Sequence, residues 1–139
     1  MHTQMMIQTH PDVDGDVQAD QALIDCIDAC FDCAQTCIAC ADACLAEDEA
    51  HHLKQCIRLD LDCADICEAV AKVATRRTGS NITTLRVLLA ACAEGCRVCA
   101  EECESHAEMH EHCAICAEAC RRCELACHTL GDLSSPVVQ

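Results

Sequence analysis

The stretch from Cys26 to Cys44, CIDACFDCAQTCIACADAC, places six cysteines at successive spacings of 4, 3, 4, 3 and 4 residues. Alternating steps of three and four keep side chains on one face of an α-helix, and the same alternation forms the buried seam between the helices of a bundle. At 1.5 Å of rise per residue, the six cysteines make a stripe about 27 Å long. The stretch therefore predicts a long helix whose buried face consists of sulfur.

The same spacing recurs in the later part of the chain. From Cys92 to Cys103 the cysteines run 4, 3, 4, and from Cys113 to Cys127 they run 3, 4, 3, 4. A further segment has fewer cysteines, but Leu53, Asp60 and Val70 continue its frame. The eighteen cysteines are Cys26, Cys30, Cys33, Cys37, Cys40, Cys44, Cys56, Cys63, Cys67, Cys92, Cys96, Cys99, Cys103, Cys113, Cys116, Cys120, Cys123 and Cys127. Every predicted helix thus turns its cysteines toward one shared axis.

Local signals predict where the helices begin and end. Gly79 follows the second helix, Asn81 can cap the third, Ser105 and Glu108 have capping-box spacing, and Gly131 closes the fourth. The predicted helices are 19–46, 50–75, 82–104 and 107–130. Short connections between consecutive long helices imply antiparallel neighbours. We therefore predict an all-α fold, an antiparallel up-down-up-down four-helix bundle with a Cys-lined core.

The length of the chain indicates how many domains it has, and its charge excludes some classes of partner. Its 139 residues fit one domain. We expect a polar, flexible N-terminal segment over 1–18, the bundle over 19–131 and a loose tail over 132–139. A net charge of −15 argues against nucleic acid and anionic membrane surfaces as partners. Neither a targeting segment nor an apolar run long enough to span a membrane is visible, so the expected location is cytoplasmic.

The cysteine content needs an explanation beyond packing. The chain has one Phe, no Tyr and no Trp, so sulfur and alanine must build the core. Cysteine as a small hydrophobe explains a few positions, but not the displacement of Leu and Ala from nearly the whole seam. A disulfide scaffold is also a poor fit, because neighbours at i,i+3 and i,i+4 have Cβ atoms about 5–6 Å apart, whereas a disulfide needs about 3.5–4.5 Å.

A soft metal fits this spacing better. Thiolate is preferred by Cu(I), Zn(II) and iron–sulfur clusters, and the clusters usually take cysteines from loops. Four zinc sites of four thiolates each would leave a charge of roughly −8 in the core, which is costly when buried. One monovalent Cu(I) per thiolate leaves the core neutral. The pattern therefore favours many Cu(I) ions per chain, with zinc as the weaker alternative.

The two ends of the predicted bundle differ in composition. One end collects His51, His52, His106, Met109, His110 and His112, and the other collects Leu23, Val70, Leu85, Leu88, Leu89 and Leu130. His106, Met109 and His110 extend the cysteine frame, so we predict that they line a mouth where ions exchange and that the leucine-rich end is an aliphatic plug. His51 and His52 fit either this mouth or ordinary solvated positions, His112 has no assigned role, and His128 is expected at the surface.

Asp60 occupies a cysteine-frame position in the second helix. Two alternatives remain open from the sequence. The carboxylate faces the core, where it assists a copper-bound thiolate or guides ions inward, or the local register lets it reach solvent.

These cysteine runs, with the His/Met end, resemble the bacterial four-helix-bundle copper storage proteins, specifically their cytosolic branch. The resemblance covers about residues 20–130. It implies storage of many Cu(I) ions, mostly between cysteine pairs of one helix, assembly as a homotetramer, and exchange with a copper chaperone or efflux system. Ile57, Leu59, Leu61 and Ile66 lie off the cysteine frame and either cover a neighbouring copy or complete packing within the bundle.

Three other functions compete with storage. A zinc or general soft-metal buffer of metallothionein type would also use many thiolates. A copper chaperone usually needs one exposed exchangeable site, and a redox enzyme needs one exposed reactive pair such as Cys30–Cys33 or Cys113–Cys116. The sequence singles out no such pair and shows no other catalytic set, so we expect that the protein is not an enzyme.

Overall fold

The computed structural model describes residues 2–12 and 17–134. Over these residues the chain is helical throughout its regular structure, with five α-helices and one short 3-10 helix and no strand. The elements are α1 (His2–Gln8), α2 (Val17–Ala46), the 3-10 helix Ala50–Leu53, α3 (Lys54–Thr75), α4 (Ile82–His106) and α5 (Glu111–Ser134). The predicted all-α class is confirmed.

The four long helices enclose one core. Helix α2 packs against α3, α3 against α4, α4 against α5, and α5 against α2, which closes the ring. All eighteen cysteines are buried inside it, none more than 2% exposed. Cysteine is small, so it fills a narrow interior that large aromatic side chains, nearly absent from this sequence, would not fit. Within the described ranges, no helix combines the length and apolar composition that crossing a membrane requires.

One end of the core is aliphatic, as predicted. Val70, Leu89 and Leu130 are buried beside the cysteines, while Leu23 and Leu85 are partly buried against them. Leu88 packs there in the same way. Apolar side chains therefore close this end of the thiol-lined interior.

Several predicted helix ends are wrong by a few residues. Helix α5 continues through Gly131 to Ser134, and α4 continues to His106, so Ser105 lies inside a helix and its Oγ donates to the carbonyl of Glu102. Asn81 does stand at the N-cap of α4, but its backbone carbonyl, not its side chain, accepts from the amide of Leu85 at 3.0 Å. A single glycine weakens a helix without ending it when neighbouring side chains are anchored in a core.

The segment preceding α2 contains a short helix that the sequence did not reveal. Ile7 of α1 is 2% exposed and packs with Ile24, Ile27 and Ala74 in a second, smaller cluster. A helix of this length gains its order from such burial and not from intrinsic propensity. Part of the predicted N-terminal segment (residues 1 and 13–16) and of the predicted tail (135–139) lies outside the described residues.

Asp60 faces the core, which decides between the two alternatives left open by the sequence. It is fully buried, and its Oδ1 accepts hydrogen bonds from the thiols of Cys99 at 3.1 Å, Cys103 at 3.4 Å and Cys116 at 3.4 Å. Burial is the main reason that the pKa of Asp60 is raised to about 8. The side chain is therefore a neutral carboxylic acid over most of the physiological pH range when no cation is near.

Replacing Asp60 with Asn tests this assignment through the pH dependence of stability. The pKa of the carboxyl is about 8 in the folded chain against an ordinary value of 3.8, so the folded protein keeps a proton that the unfolded chain has lost. This stabilisation is fully present below about pH 4 and is lost as the pH rises through about 8. We expect the free energy of unfolding of the reduced protein, purified without added metal, to fall by up to roughly 1.4 kcal/mol per pH unit in this window because of Asp60, and the Asp60→Asn variant to lack this component.

The measurement is urea unfolding followed by circular dichroism at several pH values. Asp62→Asn is the matched control, since Asp62 lies on the same helix but is 47% exposed and paired with Arg58 at 2.8 Å. Equal pH slopes for the Asp60→Asn variant and the unsubstituted protein would contradict the assignment.

Candidate metal centre

The cysteine stripes of different helices meet inside the bundle. Contacts between the sulfur atoms of α2 and α5 include Cys33–Cys120 at 3.7 Å, and those of α3 and α4 include Cys67–Cys92 at 3.6 Å. Neighbours along one helix lie at similar distances, with Cys33–Cys37 at 3.8 Å. All eighteen cysteines are free. These separations are too long for a sulfur–sulfur bond of about 2.05 Å, and they leave room for an ion bridging two sulfurs.

Groups of four thiols converge at several levels of the core. Within each group the sulfur atoms all lie within 4.8 Å of one another. Five of these groups are Cys30–Cys92–Cys123–Cys127, Cys33–Cys63–Cys67–Cys96, Cys33–Cys37–Cys63–Cys120, Cys37–Cys99–Cys116–Cys120 and Cys40–Cys44–Cys56–Cys113. Because Cys33, Cys37, Cys63 and Cys120 belong to more than one group, three of the five groups merge into one column and are not separate centres.

The electrostatics of the core favour a bound cation once the thiols ionise. Burial raises the pKa of Cys44 to about 11, and burial is also the first reason that the pKa of Cys113 is raised. Among the described residues, Asp60 is the one buried residue that is neither apolar nor cysteine. No Lys or Arg is therefore buried there to neutralise a thiolate. Positive charge must therefore come from the ligand, and each ion that binds replaces the proton of a thiol.

Asp60 adds an oxygen donor to this sulfur column. Besides the three thiols that donate to Oδ1, Cys56 donates to Oδ2 at 4.0 Å. These four cysteines come from α3, α4 and α5. The carboxyl group therefore stands where three helices present sulfur to one point, near the histidine-bearing end of the bundle.

The three residues predicted to line a mouth lie at the connection between α4 and α5. His106 and His110 are partly buried, and each ring contacts a carboxylate: His106 Nε2 lies 2.9 Å from Glu102, and His110 Nδ1 lies 3.1 Å from Glu47. Met109 is 73% exposed, so its thioether lies in solvent. The structure thus places the two histidines at the rim of the core and Met109 outside it.

His112 contacts the thiols of the core, which the sequence analysis did not predict. Its Nδ1 lies 3.4 Å from the Sγ of Cys40 and 3.6 Å from the Sγ of Cys113, while its Nε2 lies 2.8 Å from Glu47. The hydrogen bond with His112 is also the first reason that the pKa of Glu47 is lowered. The available signal was its place in the first turn of α5, directly before Cys113, although it stands one position off the cysteine frame.

The remaining histidines of interest are at the surface. His51 and His52 are exposed on the 3-10 helix, with ring centroids 4.0 Å apart, and His52 lies 3.9 Å from Glu49. His128 is exposed, as expected from its position off the frame. For His51 and His52 the structure favours the solvated alternative.

Comparison with known proteins connects this geometry to copper. The structure of the copper storage protein Ccsp from Streptomyces lividans, loaded with 10 copper equivalents, is 48% identical and superposes with a TM-score of 0.90, covering 94% of this chain and 98% of that one. A second structure, of copper loading to a cytosolic copper storage protein from Streptomyces lividans with five coppers, is 52% identical with a TM-score of 0.82, covering 85% and 98%. The Cu(I)-bound copper storage protein BsCsp3 is 40% identical with a TM-score of 0.70, covering 82% and 99%.

A family model described as copper storage protein matches residues 19–132, which is the part of the chain that carries every cysteine. The match and the buried thiol column agree on the same residues and the same chemistry. The chain belongs to the copper storage protein family.

Proposed function

We propose that the protein stores Cu(I), holding many ions, about one per cysteine, on thiolates inside the helical bundle. The observation that carries the proposal is the burial of all eighteen thiols in one interior, where sulfur atoms of different helices approach to 3.6–4.0 Å. Two-coordinate Cu(I) between thiolates needs sulfur pairs of this kind, and a bridging sulfur can serve two ions. A related structure described as Cu(I)-bound supports the oxidation state.

The alternatives fit the structure less well. Zinc takes four thiolates and leaves two negative charges per site, and the described core contains no buried cation to offset them. A chaperone or a redox enzyme needs an exposed, reactive thiol, whereas the pairs Cys30–Cys33 and Cys113–Cys116 are buried. We therefore propose storage without catalysis.

We also propose that the bundle is antiparallel, in up-down-up-down order, with residues 19–131 as its domain. Sulfur contacts support this order. Along α2 and α5, Cys26 contacts Cys127 and Cys40 contacts Cys113, so one sequence number rises as the other falls. Along α3 and α4 the pairs Cys56–Cys103 and Cys67–Cys92 run in the same opposed sense.

For the ligands, we assign all eighteen thiolates and the carboxylate of Asp60 to the ions inside. Oxygen is a harder donor than sulfur, so Asp60 is expected to complete a site in which the thiolates of Cys99, Cys103 and Cys116 hold the metal. His106 and His110 are assigned to uptake at the rim and Met109 to uptake just outside it, because imidazole and thioether bind Cu(I) less tightly than thiolate and release it more readily.

We further propose a cytoplasmic location, where thiols stay reduced, and exchange of copper with a copper chaperone or an efflux system. A related protein is described as cytosolic, which supports this location. The net charge of −15 makes nucleic acid and anionic membrane surfaces poor partners.

We propose that the protein assembles as a homotetramer. The contact face proposed here is on α2 and differs from the α3 residues that the sequence analysis considered. Ile57, Leu59 and Ile66 pack against the chain's own core, and only Leu61 of that set is exposed, at 44%. The outer face of α2 instead presents a row of exposed apolar side chains, at seven-residue intervals: Phe31, Ile38 and Leu45. A row of this kind is the seam by which a helix contacts a second copy.

Metal titration tests storage. The reduced protein is titrated anaerobically with Cu(I) against a coloured chelator, and in parallel with Zn(II). We expect well over ten tightly bound Cu(I) ions per chain, about one proton released per ion, and few, weaker Zn(II) sites. Binding of only one or two Cu(I) ions would contradict storage, and equal capacity for both metals would favour a general soft-metal buffer.

Joint replacement of His106, Met109 and His110 by Ala tests the mouth. We expect slower loading in stopped-flow mixing with Cu(I), because the rim loses its exchanging ligands, while capacity stays close to that of the unsubstituted protein. His51→Ala/His52→Ala is the matched control, since both rings are exposed at the same end. Unchanged loading rates in the triple variant would remove the mouth from the proposal.

A charged substitution on the outer face of α2 tests the proposed tetramer. Ile38→Glu should shift the mass measured by sedimentation velocity from tetramer toward smaller species, because a carboxylate would be buried at the contact. Leu125→Glu is the control, as Leu125 is 68% exposed on α5. A monomeric unsubstituted protein, or a tetramer that Ile38→Glu does not affect, would rule out this face.

A further inference from the structure

Glu47 holds two histidines at once. It follows the end of α2, while His110 and His112 flank the start of α5. One oxygen atom, Glu47 Oε2, lies 3.1 Å from the Nδ1 of His110 and 2.8 Å from the Nε2 of His112. The two rings are nearly parallel, with their centroids 5.4 Å apart and 21° between their planes. A single carboxylate oxygen therefore faces both imidazoles: it accepts a hydrogen bond from His112, and His110 lies within ion-pair distance.

These two contacts select opposite tautomers. An ionised carboxylate can only accept hydrogen bonds, so the ring nitrogen facing it must carry the proton. In neutral His112 the proton is then on Nε2 and the lone pair on Nδ1. In neutral His110 the proton is on Nδ1 and the lone pair on Nε2. Glu47 thus makes the two neighbouring rings present different nitrogens to a metal ion.

The lone pair of His112 is aimed at the thiols. Its Nδ1 lies 3.4 Å from the Sγ of Cys40 and 3.6 Å from that of Cys113, two members of the cysteine group at this end of the core. With the other tautomer, an N–H would point at these sulfurs and His112 could not bind a metal ion between them. The orientation of this ring therefore depends on the acceptor on its far side, which is a familiar arrangement around metal-binding histidines.

We propose that Glu47 is a positioning residue that sets the tautomers of His110 and His112, so that Cu(I) passes from an outer imidazole to an inner one and then to Cys40 and Cys113. This inference rests on the proposed storage function and adds a positioning residue to its proposed mouth. No covalent or redox change is involved: the ion keeps its charge and exchanges one neutral nitrogen donor for the next, then replaces a thiol proton, which leaves to solvent.

The experiment compares Glu47→Ala with Glu49→Ala. Both substitutions remove one carboxylate from the same connection, so any general attraction of cations to this end is reduced equally. Glu49 lies 3.9 Å from His52, and both side chains are well exposed, at 64% and 65%. Glu47→Gln is a third variant, because its amide oxygen can still accept from one of the two rings.

Two readouts are needed. The first is the tautomeric state of His110 and His112 in the metal-free protein, from two-bond proton–nitrogen correlation spectra recorded roughly two pH units above the ordinary imidazole pKa of about 6.5. The second is the rate of Cu(I) loading by stopped flow, with the final number of ions measured in the same samples. The tautomer spectra require no copper, so they report on Glu47 independently of storage.

We expect His112 protonated on Nε2 and His110 on Nδ1 in the unsubstituted protein and in Glu49→Ala, and mixed tautomers in Glu47→Ala with loading slowed about tenfold. Glu47→Gln should lie between the two. Unchanged tautomers in Glu47→Ala, or an equal slowing in Glu49→Ala, would overturn the positioning role. If the unsubstituted protein itself took up only one or two ions, the storage proposal would fall instead, whatever the spectra showed.

Discussion

The structure depends on one constraint: eighteen thiols share an interior in which the described residues supply no buried cation. As neutral groups they pack like small apolar side chains, so the bundle has a core without metal. As thiolates they repel one another unless positive charge enters. Protonation and metal binding are therefore alternatives for the same sulfur atoms, and the core is stable in two states that differ by exchange of protons for monovalent ions.

The unequal ends of the bundle follow from this constraint. At one end, Val70, Leu89 and Leu130 close the column with hydrocarbon, which offers an ion no ligand. At the other, imidazoles held by carboxylates stand between solvent and the first thiols. In the proposed storage function, these weaker donors give an ion that binds sulfur tightly a route to the first thiols. The carboxyl group of Asp60 accepts hydrogen bonds from four thiols of the same interior.

The helices and their buried faces could largely be predicted from the sequence, because helical periodicity is a local property. The 4-3-4-3-4 run from Cys26 to Cys44 predicts a helix and its buried face, and the other runs predict that the faces converge. The charge argument for Cu(I) needs only the cysteine count. The ends were harder: Gly131 and Ser105 carry stop and cap signals, yet both lie inside helices, because anchored side chains nearby outweigh local preferences. The helix His2–Gln8 was missed because it depends on Ile7 reaching Ile24 and Ala74.

By itself, the sequence determined the helical class, the single sulfur-lined interior and the preference for a monovalent soft ion, since each follows from spacing or from charge. Only the tertiary structure decided which way Asp60 points, that Met109 stays in solvent, and that His112 reaches Cys40 from another helix while Glu47 holds it from behind. The physical reason is that hydrogen-bond direction between side chains of different helices depends on how those helices are rotated and offset, which no repeat within one helix records.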